Sequence, residues 1–309
     1  MTLALKPPGH LCAKLTRVYP SVNLLSRQTL DLLYKITVRS VIDYALPVYF
    51  KTLKQTEMSR LENLQYRAAK IVTGAYHYTS REKLNTELGW ETIEKRVDIL
   101  GLNIFQKIHL QETRPLIRNC MPKLDFERRH FLRSKGGYIP FKSHGSYFKK
   151  SFFPYFSGLW NCLPKNVQCY DLTDFKAFTN KEYKPPKIKH FARGKKQNNS
   201  LLTKIRVGRS DLNQHRFTIG LSDSPQCLCH HREESPLHYF IDCFLYPLER
   251  QALFGKIEHY IPNFPNFTKQ KKLEIILRGI YCENPDFLSL NTTLTIAVQN
   301  FIIQTKRFS

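Results

Sequence analysis

The chain has 309 residues, enough for about two domains, and its 48 lysines and arginines against 25 aspartates and glutamates give a net charge of +23. Hydrophobic residues make up 42% of the sequence, which excludes a disordered polypeptide, and eight cysteines are too few for a disulfide scaffold. The charge predicts a polyanionic partner. Nucleic acid is the first candidate and an anionic membrane surface the second, and a solvated basic surface without a partner is the alternative.

The amino-terminal segment argues against secretion. Lys6, Pro7 and Pro8 interrupt its apolar residues, so no secretory signal is predicted. No stretch of the sequence reaches the ~20 apolar residues that span a bilayer, so no membrane span is predicted. The expected location is intracellular, in the cytoplasm or the nucleus, where clustered cysteines indicate metal binding rather than disulfides.

The first part of the chain, up to residue 115, shows the apolar periodicity of a helical domain. Helices are predicted over 26–46, 56–74 and 90–110. Ser26 is the expected N-cap of the first helix, and Pro47 is expected to close it. Gly74 stands where a C-cap glycine belongs in the second. Thr79 and the glutamate three residues later have capping-box spacing, which predicts a short helix before the third.

The composition of the sequence changes after residue 115. A connector rich in aromatic residues, proline and glycine is predicted over 116–180, with short strands around 136–150 and a helix or turn in SFFPYFSGLWNCLP. A basic linker is predicted over 181–200, because 181–209 holds ten lysines and arginines but one acidic residue. The residues expected to contact a phosphate backbone are Lys195, Lys196, Arg206 and Arg209.

Residues 201–309 are predicted to form a metal-binding region followed by helices. These helices are expected over 248–260, over 268–281, and from Asn291, the predicted N-cap, to near the end of the chain. The fold class predicted from the whole sequence is mainly α. It comprises a helical domain, a short β/loop connector and a small zinc-knuckle region with C-terminal helices, and short strands are also expected at the knuckle.

The stretch CLCHHREESPLHYFIDC, residues 227–243, holds three cysteines and three histidines. The spacing Cys227-x-Cys229-x8-His238-x4-Cys243 supplies two close pairs of the thiolate and imidazole ligands that structural zinc prefers. Four protein ligands leave no open position for a catalytic water. Structural zinc is therefore the predicted cofactor.

An alternative stays open on spacing alone. Cys243 could be an ordinary core residue, with the histidines on the surface. His230 and His231 are expected on the surface in either case, because adjacent residues rarely converge on one ion. The Cys-x-Cys half of the pattern is tighter than the usual Cys-x2-Cys and requires a sharp backbone bend.

Five segments of the sequence share their order with one known family. They are LYKITVRSVIDYALPVYF, LENLQYRAAKIVTGAY, KLNTELGWETIEKRVDIL, SFFPYFSGLWNCLP and the region IRVGRSDLNQHRFTIG through CFLYPLER that encloses the cysteines and histidines. Together they resemble the C-terminal part of reverse transcriptases from non-LTR retrotransposons of the jockey-like kind. The resemblance covers most of the chain.

The resemblance implies a helical thumb domain over 1–115, a connector and a CCHC zinc knuckle, all near template RNA and target DNA. It carries the zinc ligands over to Cys227, Cys229, His238 and Cys243. The family usually places glycine after the second cysteine, and His230 stands there in this chain, so His230 is expected to strain the bend.

The catalytic region of the family's reverse transcriptases has no match in this sequence. Its polymerase chemistry needs two divalent metals on paired aspartates, and no Asp-Asp occurs in the sequence. The leading hypothesis is therefore a non-catalytic fragment that binds RNA or DNA, with no small-molecule substrate. The alternatives are an enzyme, meaning an RNA-directed DNA polymerase or a nuclease, and a relic reading frame with no selected function.

Overall fold

The computed structural model describes residues 25–124, 137–142, 145–183, 188–280 and 286–308. Its helices, in chain order, are α1 (Arg27–Tyr34), α2 (Ser40–Asp43), α3 (Leu46–Tyr49), α4 (Gln55–Thr73), α5 (Arg81–Leu88), α6 (Ile93–His109), α7 (Pro115–Arg118), α8 (Ser146–Lys149), α9 (Phe152–Asn161), α10 (Lys165–Gln168), α11 (Leu172–Tyr183), α12 (Lys196–Arg206), α13 (Asn213–Thr218), α14 (Pro247–Tyr260), α15 (Lys269–Arg278) and α16 (Asp286–Gln304). Short 3₁₀ turns lie at Phe50–Thr52, Lys189–Ala192 and Phe264–Asn266, and π-helical turns at Lys35–Arg39 and His238–Asp242.

The mainly α fold class predicted from the sequence is confirmed. The strands expected around 136–150 and at the cysteine–histidine region are wrong for the described residues, where the sole β pairing is an isolated bridge between Leu124 and Tyr138. Part of the 136–150 segment lies outside those residues. Within the described ranges, no helix is both long and apolar enough to cross a membrane.

Several predicted helix ends are confirmed and others are wrong. Ser26 caps α1 by accepting a hydrogen bond from the Thr29 backbone N–H (3.1 Å). Gly74 ends α4 with a φ of 66°, as a C-cap glycine does. The helix predicted over 26–46 is instead broken by a π-helical turn and ends at Asp43, and Pro47 lies in the first turn of α3. Proline is well suited to a first turn, because it has no N–H to leave unpaired there.

Two other predicted caps are wrong. Ser80, not Thr79, caps α5, because the Ser80 hydroxyl accepts a hydrogen bond from the Lys83 N–H. Thr79 lies one residue earlier and is buried. Asn291 lies inside α16. Its side-chain amide exchanges two 2.8 Å hydrogen bonds with the backbone of Ile280, so it holds the residues just after α15 instead of starting the helix.

The described residues form two compact units. The first contains 25–34, 66–88, 188–280 and 286–308, and the second contains 35–65, 89–124, 137–142 and 145–183. Each unit therefore combines segments that are distant in the sequence. The four consecutive domains expected from composition stay a prediction about domain organisation.

The core of the first unit is apolar and aromatic. It is built from α12, α14, α15, α16 and the cysteine–histidine segment, with Leu202, Phe240, Phe264 and Phe301 almost fully buried. The stretch expected to be a basic linker belongs to this unit over 188–200. It forms a 3₁₀ turn and the start of α12 with Phe191 and Asn199 buried, while 184–187 lie outside the described residues.

The second unit is organised around α6. Of the helix or turn expected in SFFPYFSGLWNCLP, the structure shows the helix, α9, and its Phe156 ring packs where α6 has Gly101. The buried amide of Gln106 accepts from the Trp160 indole N–H at 2.7 Å and donates to the Tyr170 carbonyl at 2.8 Å. These bonds satisfy the polar groups that the aromatic packing would otherwise bury unpaired.

Candidate metal centre

The structure brings together the same four residues that the spacing selects as ligands. The sulfurs of Cys227, Cys229 and Cys243 and a ring nitrogen of His238 lie within 4.8 Å of one another, and all four residues are buried. The Cys227 and Cys243 sulfurs are 3.7 Å apart, and the Cys229 sulfur lies 3.1 Å from Nε2 of His238. Four ligand atoms from two chain segments therefore converge on one point in the first unit.

A tight turn positions the first two cysteines. The His230 N–H donates to the Cys227 carbonyl at 2.9 Å, and the Cys227 N–H donates to the His231 carbonyl at 3.0 Å. His230 itself has a φ of 65°, in the left-handed region that favours glycine. The turn therefore bends at position 230, where the resemblance leads us to expect glycine. In this chain His230 adopts the left-handed conformation at that position.

A π-helical turn positions the other two ligands. Residues five apart are separated by about 1.4 turns of an α-helix, which would turn their side chains away from each other. In the turn His238–Asp242 the Cys243 N–H instead donates to the His238 carbonyl at 2.7 Å, which closes a wider ring. Ser235 caps this turn by accepting from the His238 N–H at 3.2 Å. The His-x4-Cys spacing therefore becomes a convergent pair.

The four ligand atoms are close enough together to hold one metal ion, and one pair already has the spacing of a tetrahedral site. Zinc–sulfur bonds of about 2.3 Å in a tetrahedron place neighbouring sulfurs ~3.8 Å apart, close to the 3.7 Å between Cys227 and Cys243. The largest separation among the ligand atoms, 4.8 Å, needs a contraction of about 1 Å to reach that value. Three thiols and one imidazole are a donor set typical of structural zinc.

Burial favours the neutral forms of Cys227 and His238 in the absence of a cation. For Cys227, burial raises the pKa of the thiol to about 12, with a further contribution from the adjacent Cys229 and Cys243 sulfurs. Burial also lowers the pKa of His238, and the neighbouring His231 adds to the effect. A divalent cation supplies the positive charge that buried thiolates lack, so metal binding would displace protons from these thiols.

His231 contributes to the site although it is not a ligand. Its exposed ring stacks on the ring of His238, with centroids 4.1 Å apart and planes 11° apart. Nδ1 of His238 is buried and has no hydrogen-bond partner among the described residues. The stack with His231 therefore supports the orientation of this ring where a hydrogen bond more often does so.

An ion pair with the end of the chain holds the loop between the ligand pairs. The Glu234 carboxylate is fully buried, lies about 4.0 Å from the Cys227 sulfur, and accepts from the Asn213 N–H at 2.7 Å. Both of its oxygens bind the Arg307 guanidinium at 2.6 Å. Sequence analysis missed this pair, because nothing in the sequence links residues 73 positions apart.

Arg206 does not lie where a phosphate contact requires it. Its side chain is 3% exposed, stacks on Phe191 and forms an ion pair with the buried Glu87, which also binds Arg27 at 2.9 Å. Thr203 donates to the same carboxylate at 3.1 Å. The expectation that Arg206 contacts a phosphate backbone is contradicted, because its guanidinium is already bound inside the first unit.

The other three basic residues selected from the sequence lie nearer the surface. Lys195 is exposed at the N-cap of α12, and Lys196 is half-buried in the first turn, where burial lowers its pKa. Arg209 is half-buried beside aromatic rings, with its guanidinium carbon 5.7 Å from the Tyr78 ring centre and one nitrogen 3.4 Å from Nε2 of His215. The structure does not bring these residues to the metal-binding cluster by any described contact.

Comparisons of the chain with protein-family models, with curated proteins and with solved structures found no match in any of the three. The resemblance to retrotransposon reverse transcriptases therefore stays a prediction from sequence motifs. The geometry of the metal-binding cluster stands independently of it.

Proposed function

We propose that this protein is a zinc-stabilised module that binds RNA or DNA and has no catalytic role in nucleic-acid synthesis. The observation that carries the proposal is the buried convergence of Cys227, Cys229, His238 and Cys243 within 4.8 Å. Structural zinc sites of this composition contribute directly to folding, so the metal would be required for the module to keep its shape.

The identity of the metal is inferred from the donor set. Thiolates favour zinc, copper(I) and iron–sulfur clusters, whereas magnesium and calcium take oxygen ligands. One imidazole with three thiolates at near-tetrahedral spacing favours a single zinc ion. The four ligands would complete its coordination sphere, so the ion has a structural role and activates no water.

The nucleic-acid partner is inferred from charge. A net charge of +23 attracts polyanions, and each neutralised phosphate releases a bound counterion, which makes affinity fall steeply with salt. The motif resemblance points the same way, since the family's matching region lies near template RNA and target DNA. A binding role is favoured over polymerase chemistry, because the sequence contains no Asp-Asp pair to hold two catalytic metals.

The metal content of the purified protein tests whether the module holds zinc. Mass spectrometry of the purified protein is expected to give one zinc per chain, and Cys227→Ser and His238→Ala should each lose it. Matched controls are Cys169→Ser and His259→Ala, which change exposed residues of the same types. Full retention of zinc in the ligand variants, or no bound metal in the wild-type protein, would reject the site.

The salt dependence of binding tests whether the module binds RNA or DNA. The affinity for labelled RNA and DNA oligonucleotides is expected to fall by orders of magnitude between about 50 and 300 mM salt. A flat response to salt, or no binding at low salt, would reject the nucleic-acid role. Template-dependent primer extension by this chain in the presence of magnesium would reject the non-catalytic role.

A further inference from the structure

A row of aromatic rings lies in the first unit, on residues distinct from the candidate metal ligands. The rings of Tyr76 and Tyr78 are stacked, with centroids 5.3 Å apart and planes 8° apart. The ring of His215 continues the row at 5.9 Å from Tyr78, and the exposed ring of His77 meets Tyr78 edge-on at 5.0 Å. We refer to Tyr76, His77, Tyr78 and His215 as the ring array.

Specific contacts hold the loop that carries the array. Its first residue, Gly74, lies so close to Ser200 that an added Cβ would be 2.0 Å from the serine Oγ. The Tyr66 hydroxyl donates to the carbonyls of His77 and Thr79, at 2.9 and 2.6 Å. On the other side, His215 Nδ1 donates to the Ser210 carbonyl at 2.8 Å. The backbone of the loop and the ring of His215 are therefore held in place without a partner.

Cations surround the array. The Lys204 ammonium lies 4.1 Å from the centre of the Tyr76 ring, and Arg209 lies against both Tyr78 and His215. Arg216 is exposed on the same short helix as His215. Among the residues that the structure describes, Asp211 is the acidic group in contact with them: it accepts from the Tyr76 hydroxyl and lies 3.7 Å from Lys204. Three cations against one carboxylate leave the array positively charged.

We propose that the ring array and its cations form the surface on which this protein binds single-stranded nucleic acid. Lys204, Arg209 and Arg216 contact the phosphates, and an unpaired base packs on the exposed ring of His77, which Tyr78 supports edge-on. Rings beside basic side chains fit this partner, because only unpaired bases present their faces for stacking and the backbone supplies the negative charge. This inference rests on the proposed function and assigns a place to its nucleic-acid binding.

The test is fluorescence anisotropy with a labelled oligonucleotide, single-stranded or annealed to its complement, at fixed low salt. The double variant His77→Ala/Tyr78→Ala is expected to bind the single strand about tenfold more weakly or worse, since one base–ring stack is worth about that factor or more. Tyr78→Phe should keep near wild-type affinity, because it keeps the ring. Arg216→Gln should weaken binding and reduce its salt dependence.

Matched controls change an exposed aromatic residue and an exposed lysine elsewhere in the first unit. Tyr260→Ala and Lys256→Gln, both on α14, should bind as the wild-type protein does. Thermal melting and zinc content establish that each variant is folded. If the double variant does not fold, Arg216→Gln decides the question, because its side chain is exposed.

The outcomes separate the two proposals. Wild-type protein that binds no nucleic acid overturns both the proposed function and this inference. Binding that is unchanged in the folded array variants, or equal for duplex and single strand, overturns the inference and leaves the proposed function in place. Selective loss of single-strand binding in the array variants supports it.

Discussion

The guanidinium of Arg307 forms a two-bond ion pair with the carboxylate of Glu234, and both nitrogen–oxygen distances are 2.6 Å. Arg307 lies at the end of the described chain, and Glu234 lies between the two halves of the candidate metal centre. The pair therefore fixes the loop that spaces the ligand pairs. Its contribution to stability follows from burial, since none of the Glu234 side chain is exposed.

Replacing Arg307 with glutamine should be strongly destabilising. It leaves the buried Glu234 carboxylate without its counter-charge, and breaking a buried pair in this way costs about 3–5 kcal/mol. Chemical denaturation of the zinc-loaded protein measures the free energy of unfolding. The control is Lys271→Gln, which breaks a pair with Glu274 whose side chains are both more than half exposed, and which should have an effect too small to resolve. Equal effects of the two variants would contradict the proposed role of Arg307.

The buried Glu87 should make stability depend on pH. Burial by itself would raise the pKa of Glu87, but the Arg206 and Arg27 guanidinium groups outweigh it and hold the pKa below its ordinary value. Because the pKa is lower in the folded state, this stability is fully present above the unfolded value of about 4.3. It is lost as the pH falls through the folded value.

The variant Glu87→Gln should therefore be destabilised by about 3 kcal/mol or more at pH 7, since it leaves two buried arginines without their partner. The difference from the wild-type protein should shrink as the pH falls below the unfolded value of about 4.3, because the wild-type protein then loses the stability that depends on the ionised carboxylate. Urea denaturation between pH 7 and pH 2 measures it. Glu82→Gln, an exposed change on the same helix, is the control. If the difference in the free energy of unfolding stays constant across this pH range, the pKa of Glu87 is not lowered in the folded protein.

Replacing His230 with glycine should strengthen the metal-binding turn. A φ of 65° costs a residue with a side chain on the order of 1 kcal/mol, and glycine adopts this conformation without that cost. The expected results are a higher melting temperature for the zinc-loaded protein and slower release of zinc to a chelator. Arg232→Gly changes an exposed residue of the same loop that has no positive φ, and it should have no such benefit. Faster zinc release from His230→Gly would show that the histidine side chain itself supports the site.

Two glycines in the second unit should respond in opposite ways to alanine. A Cβ on Gly101 in α6 would lie about 1.9 Å from the Phe156 ring, so Gly101→Ala forces α6 and α9 apart and should cost about 1–3 kcal/mol. A Cβ on Gly158 in α9 meets nothing within 4 Å. Gly158→Ala should therefore be neutral, or stabilising by up to about 1 kcal/mol. Thermal denaturation compares them, and an equal loss in both would argue against close packing at Gly101.

Sequence patterns were most informative where the physical cause is local. The apolar spacing of 56–74 predicts α4 almost to the residue. Both signals, one apolar face and a glycine at the C-terminus, lie within the helix segment itself and need no distant contact. The ligand pattern succeeds for a related reason, since zinc sites built from two short segments have characteristic spacings. The helix predicted over 26–46 was wrong in its interior, because periodicity does not reveal where a π-helical turn interrupts it.

The amino-acid sequence alone establishes the strong positive charge and predicts a helical fold with four candidate metal ligands at two close spacings. The folded chain sets which charges remain available for a partner, because Arg206 is paired with Glu87, 119 residues away, and Arg307 is paired with Glu234. It also decides that Tyr76, Tyr78 and His215 form one row. Composition and spacing report local preference, whereas burial and pairing depend on which distant segments fold together, and no local pattern encodes that choice.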